Sequence, residues 1–157
     1  NQFFKLNLTS SEIQKLVAQL GSDCPFFATK GPQLASGRGE ILTSFALDLE
    51  GLFLKIVNPG LHIGTQEAYS NIRLSRNSTV VSDILCQPIE SWKNELKNDF
   101  ETSAFLKYPA LKKIKESVYQ EGAIYASMTG SGSTLYGIYK NEPKPSFPNY
   151  FERIMKL

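Results

Sequence analysis

The stretch AIYASMTGSGSTLYGIYK, residues 123–140, decides the fold of this 157-residue chain. Its two ends, AIYASM (123–128) and STLYGIYK (133–140), contain the aromatic and β-branched residues that favour strands. The small residues between them suit a turn. The sequence therefore predicts two strands joined by a glycine-rich loop. The loop residues are Thr129, Gly130, Ser131, Gly132 and Ser133.

The glycine-rich loop has two interpretations. Its backbone N–H groups could bind phosphate oxygens, as such loops do elsewhere. It is not a Walker A motif, because no Gly-Lys-Ser/Thr follows it. It also departs from the Rossmann fingerprint, because Leu135 replaces the third glycine and a strand follows the loop. Residue types alone favour a plain hairpin turn.

The segments before residue 61 predict one helix followed by strands. TSSE (9–12) is a capping box, so we expect a helix over 10–20 that ends with Gly21 in the left-handed conformation. PFFAT (25–29) predicts a strand. QLASGRGEILTSF (33–45) predicts an extended segment in which Gly-x-Gly marks a bulge or a close backbone approach. LFLKIVNPG (52–60) predicts another strand.

The middle of the chain predicts helices. We expect them over 65–73 with Thr65 as the N-cap, over 78–87, over 90–101, and from Pro109 to Gly122 with a buried stripe of Leu111, Ile114 and Val118. Trp92 is expected in the core. Lys112, Lys113 and Lys115 are expected on a solvated face. Three prolines and a short helix or strand end the chain. Helices and strands that interleave without a strict βαβ rhythm predict an α+β fold.

Composition excludes several classes of protein. The net charge of +2 is too small for an electrostatic nucleic-acid binder. No apolar run is long enough to span a membrane. Two cysteines and one histidine cannot build a Cys/His zinc site, so no metal site is predicted. We expect both cysteines to be reduced, in a cytoplasmic protein.

Asp23 and Arg38 are the first candidate site residues. Asp23, in LGSDCPFF (20–27), is explained most simply as a turn or capping residue. A carboxylate held between a helix end and an apolar run could instead act as a general base for a hydroxyl group. Arg38, in GRG, is either an exposed residue of a bulge or a ligand contact to which the two glycines give access.

NPGLHIGTQEAY (58–69) contains three further candidates. His62 follows a strand and is more often a surface or core residue than a catalytic one. Thr65 is expected to cap a helix. Tyr69, one helical turn later, is either a core residue or an aromatic platform for a planar ligand.

Four stretches, in this order, resemble one enzyme family: LGSDCPFF, GPQLASGRGEIL (31–42), NPGLHIGTQEAY and MTGSGSTLYGIY (128–139). They are similar to the C-terminal part of the bacterial 4-diphosphocytidyl-2-C-methyl-D-erythritol kinases, which belong to the GHMP kinase superfamily. The resemblance covers about residues 10–140. Homoserine and mevalonate kinases share the glycine-rich motif but not the first two stretches.

The resemblance implies a reaction and a set of site residues. ATP, with Mg²⁺, donates its γ-phosphoryl group to the 2-hydroxyl of the small-molecule substrate in the non-mevalonate isoprenoid pathway. Asp23 matches the base of the family, and Arg38, Thr65 and Tyr69 match substrate contacts. Thr129 to Ser133 match the third conserved motif, which supports the phosphate-binding loop.

The resemblance also implies a domain organisation. Residues 1–45 are expected to be a remnant of the N-terminal nucleotide-binding domain. Residues 46–157 are expected to form the GHMP kinase C-terminal domain, a ferredoxin-like antiparallel sheet backed by helices. The main ATP-binding loop and a lysine partner of the base are expected upstream of residue 1, so we expect this chain to be inactive alone. Its N-terminal strands could then pair with another copy.

Two alternatives stay open from the sequence. One is another small-molecule kinase of the superfamily, such as a homoserine-kinase-like enzyme. The other is a non-catalytic binding domain with the same sheet.

Overall fold

The computed structural model describes residues 3–70, 72 and 80–157. They belong to two compact units, Asn1–Asp48 and Leu49–Leu157, which we describe separately. The first unit contains helix α1 (Ser10–Val17), a 3-10 helix (Cys24–Ala28), and strands β1 (Gln33–Ser36) and β2 (Ile41–Ser44).

Helix α1 begins as the capping box predicts. The Thr9 hydroxyl accepts a hydrogen bond from the Glu12 backbone, and the Glu12 carboxylate accepts one from Thr9. The helix ends at Val17, however, and the next residues form turns in which Leu20 N–H donates to the Val17 carbonyl at 2.9 Å. The prediction of a left-handed Gly21 is wrong, because its φ is not positive. Local i to i+3 hydrogen bonds end the helix instead.

The predicted strand over 25–29 is also wrong. Cys24–Ala28 is a 3-10 helix with Pro25 in its first turn. Phe26 N–H donates to the Asp23 carbonyl at 3.2 Å, and Thr29 N–H donates to the Phe26 carbonyl at 3.0 Å. Proline fixes φ near the helical value and lacks the N–H that a strand ladder would need, which favours this tight turn.

The predicted extended segment over 33–45 is a hairpin rather than one bulged strand. β1 and β2 pair antiparallel, with Gln33 opposite Ser44 and Ser36 opposite Ile41. The turn contains Gly37 with φ of 69° and Gly39 with φ of 107°, values that glycine adopts far more readily than other residues.

The second unit is built on a four-stranded antiparallel sheet, as the α+β prediction requires. Its strands are β3 (Phe53–Asn58), β4 (Tyr125–Met128), β5 (Leu135–Tyr139) and β6 (Phe151–Lys156). Their spatial order is β4-β5-β3-β6. The 123–140 stretch thus forms two paired strands, as predicted, with Met128 opposite Leu135. The end of the chain, for which the sequence predicted either a short helix or a strand, forms the edge strand β6.

Five helices accompany this sheet in the described residues. They are α2 (Thr65–Ser70), α3 (Val81–Leu85), α4 (Ile89–Glu95), α5 (Phe100–Lys107) and α6 (Pro109–Gln120). The predicted helices over 65–73 and 78–87 are shorter in the structure, and residues 71, 73 and 78–79 lie outside the described residues. The predicted helix over 90–101 is two helices. The break follows Glu95, because the Asn98 side chain accepts a hydrogen bond from Phe100 N–H at 2.9 Å and so starts α5.

Helix α6 covers the sheet as its sequence pattern predicts. Leu111, Ile114 and Val118 are buried, and Gly122 ends the helix with φ of 98°. Gly137 of β5 allows this close packing, since a Cβ atom there would overlap Val118. Trp92 of α4 is buried, as predicted. No described helix has the length and apolar character that a membrane span requires.

Two lysines of this unit, one buried and one half-buried, form ion pairs with glutamates. Lys55 of β3 is fully buried and lies 2.6 Å from Glu121 and 2.8 Å from Glu152. Lys115 of α6 pairs with Glu101 at 2.6 Å and is half-buried, so its assignment to a solvated face is wrong. The partners of both lysines come from other parts of the chain, and the spacing of residues in the sequence does not reveal such contacts.

Candidate functional site

Asp23 immediately precedes the 3-10 helix of the first unit but does not cap it. It lies in a turn, as the simplest explanation predicts, but its side chain makes no capping hydrogen bond. The side chain is exposed, and within the described residues it makes no ion pair. Its one hydrogen-bond partner among them is the neighbouring Ser22 hydroxyl, at 3.5 Å. The carboxylate is therefore available to a ligand.

The Asp23 carboxylate lies directly against Gly39 of the β1–β2 turn. A Cβ atom built on Gly39 would be 2.7 Å from Asp23 Oδ1, closer than a side chain tolerates. Gly39 N–H donates to the Ser36 carbonyl at 3.1 Å, which fixes the turn. The close backbone approach predicted for Gly-x-Gly is thus present, and the atom that approaches is the candidate base.

Arg38 occupies the tip of the same turn. Its backbone N–H donates to Glu40 Oε2 at 2.6 Å, and its side chain is exposed. Gly37 faces the same Glu40 carboxylate, 2.9 Å from the position of a Cβ atom. The fold thus brings Asp23 next to the turn that carries Arg38, although the two residues are 15 positions apart in the sequence.

The glycine-rich loop of the second unit is held by internal hydrogen bonds. Thr129 N–H donates to the Thr134 carbonyl at 2.9 Å, and Gly132 N–H donates to the Thr129 carbonyl at 3.0 Å. The N–H groups of Gly130 and Ser131 donate to no acceptor in the described part of the protein. They are therefore available for an anion.

The far side of the loop packs on the segment that precedes α2. Ser133 is buried, and its hydroxyl donates to the Leu61 carbonyl. A Cβ atom on Gly132 would be 2.7 Å from Met128 Sδ and 3.1 Å from Ile63 Cδ1. The loop thus contacts both its own strand and the 58–69 stretch.

The candidate residues of the 58–69 stretch are exposed. Thr65 is the first residue of α2 and not its cap, because Ala68 N–H donates to the Gly64 carbonyl and so makes Gly64 the N-cap. Tyr69 is 61% exposed and meets Phe100 edge to face at 5.0 Å, so it is not a core residue. His62 is at the surface.

A cavity of about 920 Å³ lies beside the loop, between α2 and α5. Its lining includes Ser131, Asn98 and Glu67, but neither Thr65 nor Tyr69. Glu67 accepts hydrogen bonds from Lys107 at 2.8 Å and from the Tyr108 hydroxyl at 3.1 Å. Lys107 in particular holds the pKa of Glu67 below its usual value, so this wall of the cavity carries an ionised carboxylate.

Asn98 and Glu101 are site residues that sequence analysis missed. The Asn98 amide donates to the carbonyls of Met128 and Gly130 at 2.7 and 2.8 Å. Glu101 is buried and accepts hydrogen bonds from Met128 N–H and the Ser127 hydroxyl at 2.8 and 3.1 Å. The contacts of both side chains join residues about 30 positions apart, so spacing along the chain does not reveal them. In the sequence, the one indication was an Asn two residues before a helix.

The described residues contain no cluster of three or more His, Cys, Asp or Glu side chains that could hold a metal ion.

Comparison with known proteins identifies relatives. Residues 81–147 match the family model described as GHMP kinases C terminal. A Cytophaga hutchinsonii protein named 4-diphosphocytidyl-2-C-methyl-D-erythritol kinase is 41% identical over 95% of this chain and 56% of its own length. A protein of the same name from Azobacteroides pseudotrichonymphae is 45% identical over 89% of this chain and 53% of its own.

A solved structure of an enzyme of this type is also similar to this chain. It is a crystal structure of 4-(cytidine 5'-diphospho)-2C-methyl-D-erythritol kinase, similar with a TM-score of 0.65 and 25% identity over 87% of this chain and 50% of that one. The chain thus spans about half the length of the curated relatives it matches.

Proposed function

We propose that this chain, whose residues 81–147 match the GHMP kinases C terminal family model, is part of an ATP-dependent kinase for the 2-hydroxyl of 4-diphosphocytidyl-2-C-methyl-D-erythritol. The close contact between the Asp23 carboxylate and Gly39 is the observation that carries the proposal. Residues 1–45 then belong to the N-terminal domain of that kinase, and residues 46–157 form its C-terminal domain.

Asp23 is the general base of the proposed reaction. As the substrate hydroxyl attacks the γ-phosphorus, the Asp23 carboxylate accepts the hydroxyl proton and the oxygen forms the new P–O bond. The bond from the γ-phosphorus to the β–γ bridging oxygen breaks at the same time, and ADP is the leaving group. A base must lie within hydrogen-bond reach of that oxygen, and the absence of an ion pair among the described residues leaves Asp23 free to do so. Gly39 restricts where the carboxylate can lie, which favours one geometry of attack.

ATP supplies the transferred phosphoryl group. The free N–H groups of Gly130 and Ser131 fit phosphate oxygens, so the glycine-rich loop is a suitable support for them. Mg²⁺ in nucleotide sites is usually bound by substrate phosphates with one or two carboxylates, so it would arrive bound to the phosphates of ATP.

The remaining candidates bind the substrate. Arg38 is exposed at the turn beside Asp23, where its guanidinium can contact an anionic diphosphate. Tyr69 is a largely exposed ring on which a planar cytosine can stack. Thr65, also exposed, offers a hydroxyl on the preceding turn of α2.

The free thiols of Cys24 and Cys86 support a reducing compartment such as the cytoplasm.

The direct test is phosphorylation by the full-length protein that carries this chain. Incubated with ATP, it should phosphorylate the diphosphocytidyl substrate and not homoserine, with a new phosphomonoester at the 2-position in the phosphorus NMR spectrum. Phosphorylation of homoserine instead would establish the homoserine-kinase alternative. Turnover of neither acceptor would favour a binding domain.

Substitution of Gly39 tests the contact that carries the proposal. The Gly39→Ala side chain would meet Asp23 Oδ1 at 2.7 Å and displace the carboxylate. We expect kcat to fall about 100-fold, the order of loss that a small misplacement of a catalytic group produces.

Gly31→Ala is the matched control for Gly39→Ala. Gly31 also has a positive φ, of 73°, but nothing lies within 4 Å of its Cβ position, so both variants share backbone strain and only one meets Asp23. Equal losses of kcat in the two variants would mean that the Asp23 contact has no role in turnover.

A further inference from the structure

Asn98 connects the start of α5 to the glycine-rich loop through both ends of its side-chain amide. Its Oδ1 accepts a hydrogen bond from Phe100 N–H at 2.9 Å. Its Nδ2 donates to the carbonyl of Met128 at 2.7 Å and to that of Gly130 at 2.8 Å. Both N–H bonds of the amide are thus used, one at the end of β4 and one in the loop.

The two carbonyls that Asn98 binds lie at the point where β4 leads into the loop. Met128 is the last residue of β4, and Glu101 already fixes its N–H at 2.8 Å. Asn98 fixes the carbonyl of the same residue and then that of Gly130, two residues on. The entry to the loop is therefore fixed at the carbonyls of Met128 and Gly130, while the N–H groups of Gly130 and Ser131 have no acceptor in the described residues.

We propose that Asn98 is a positioning residue for phosphoryl transfer, because it fixes the loop so that these two N–H groups stay available to phosphate oxygens. The inference rests on the proposed kinase function. Asn98 itself touches no reacting atom in this assignment. It acts through the loop, of which Ser131 lines the same cavity as Asn98.

Asn98→Ser separates the loop contacts from the hydrogen bond to Phe100 N–H at the start of α5. A serine hydroxyl can still accept a hydrogen bond from Phe100 N–H, since serine side chains form the same local turn with the backbone two residues on. It is too short to reach both carbonyls. We expect kcat/KM for ATP to fall about 100-fold in the full-length protein, as misplaced phosphate-binding groups would cause. Asn94→Ser, an exposed asparagine on α4, is the matched control and should retain wild-type kinetics.

Asn98→Asp provides a readout that a merely structural residue would not give. The introduced carboxylate keeps the acceptor for Phe100 N–H but repels the two carbonyl oxygens. Protonation restores one donor, so the ratio of variant to wild-type kcat/KM should rise as pH falls from 8 to 5. A ratio that stays constant with pH would overturn the proposal, as would wild-type kinetics in Asn98→Ser.

Hydrogen exchange tests the loop independently of catalysis. In Asn98→Ser, the amides of Thr129 and Gly132, which are hydrogen-bonded within the loop, should exchange at least tenfold faster, while those of β4 and β5 keep their protection. Unchanged loop exchange would overturn the role of Asn98 even in an active enzyme. If the wild-type protein phosphorylates no acceptor, the proposed function fails, whereas faster loop exchange would still establish that Asn98 fixes the loop.

Discussion

Replacing Asp23 with asparagine is expected to lower kcat for phosphoryl transfer by about 10²–10⁴-fold, the range that general-base catalysis supplies. Asparagine has nearly the same size and shape, so the contact with Gly39 survives. Its amide cannot accept the hydroxyl proton at neutral pH. The change therefore removes the chemistry and keeps the geometry, and KM for the acceptor should change little.

The control for Asp23→Asn is the same substitution at Asp83. Asp83 is exposed on α3, and the Ser82 hydroxyl donates to it at 3.4 Å, so its loss should leave both kcat and stability near wild type. Steady-state kinetics of the full-length variants, with circular dichroism to verify folding, provide the measurement. A kcat within threefold of wild type in Asp23→Asn would show that another group, or water, takes the proton.

Sequence patterns predicted the parts of the fold that neighbouring residues determine, such as the ends of two helices. Gly122 ends α6 in the left-handed conformation because a residue with a side chain resists that φ, and the capping box at Thr9 starts α1. The prediction failed at 25–29, where strand-forming aromatics are outweighed by the fixed φ of Pro25. It failed again at 96–99, where a side chain of Asn98 competes with the backbone and starts a new helix.

The candidate site was predictable as residue types but not as contacts. The proximity of Asp23 to Gly39 depends on how a 3-10 helix and a hairpin pack, and spacing along the chain does not encode that. The same holds for Asn98, whose amide reaches carbonyls 30 and 32 residues away. A sequence pattern reveals the periodicity within a single helix or strand, whereas each of these contacts joins two separate elements.

Lys55 gives the prediction with the largest effect on stability. Its ammonium group is fully buried on β3, where it bonds Glu121, Glu152 and the Ser146 hydroxyl at 2.6, 2.8 and 2.7 Å. Lys55→Met keeps an unbranched side chain one atom shorter but leaves two carboxylates without their cation. Removing one partner of a buried ion pair costs about 3–5 kcal/mol, and we expect a loss of this order for the Leu49–Leu157 unit.

The pH dependence distinguishes this loss from a packing defect. Burial raises the pKa of Glu152, but Lys55 and the N–H groups of Phe147 and Ser146 outweigh it and hold that pKa below its ordinary 4.5. A folded-state pKa below the unfolded one contributes stability above pH 4.5, which is lost as pH falls through the folded-state value. Without Lys55 the Lys-dependent part of this lowering disappears, so the stability of the variant should fall less steeply, or rise, between pH 6 and 3.

Urea unfolding followed by the fluorescence of Trp92, the single tryptophan and a buried residue of this unit, provides the measurement. Lys140→Met is the control, since Lys140 pairs with Glu90 at the surface, where both side chains are more than half exposed, and such pairs contribute at most about 1 kcal/mol. If both variants lost the same free energy of unfolding, or if the Lys55→Met loss were independent of pH, the ion pairs would contribute no more than packing. A large, pH-dependent loss confined to Lys55→Met would instead assign to this buried cation the attachment of β6 and the preceding proline-rich segment, because Glu152, Ser146 and the Lys144 carbonyl all bond to it from that part of the chain.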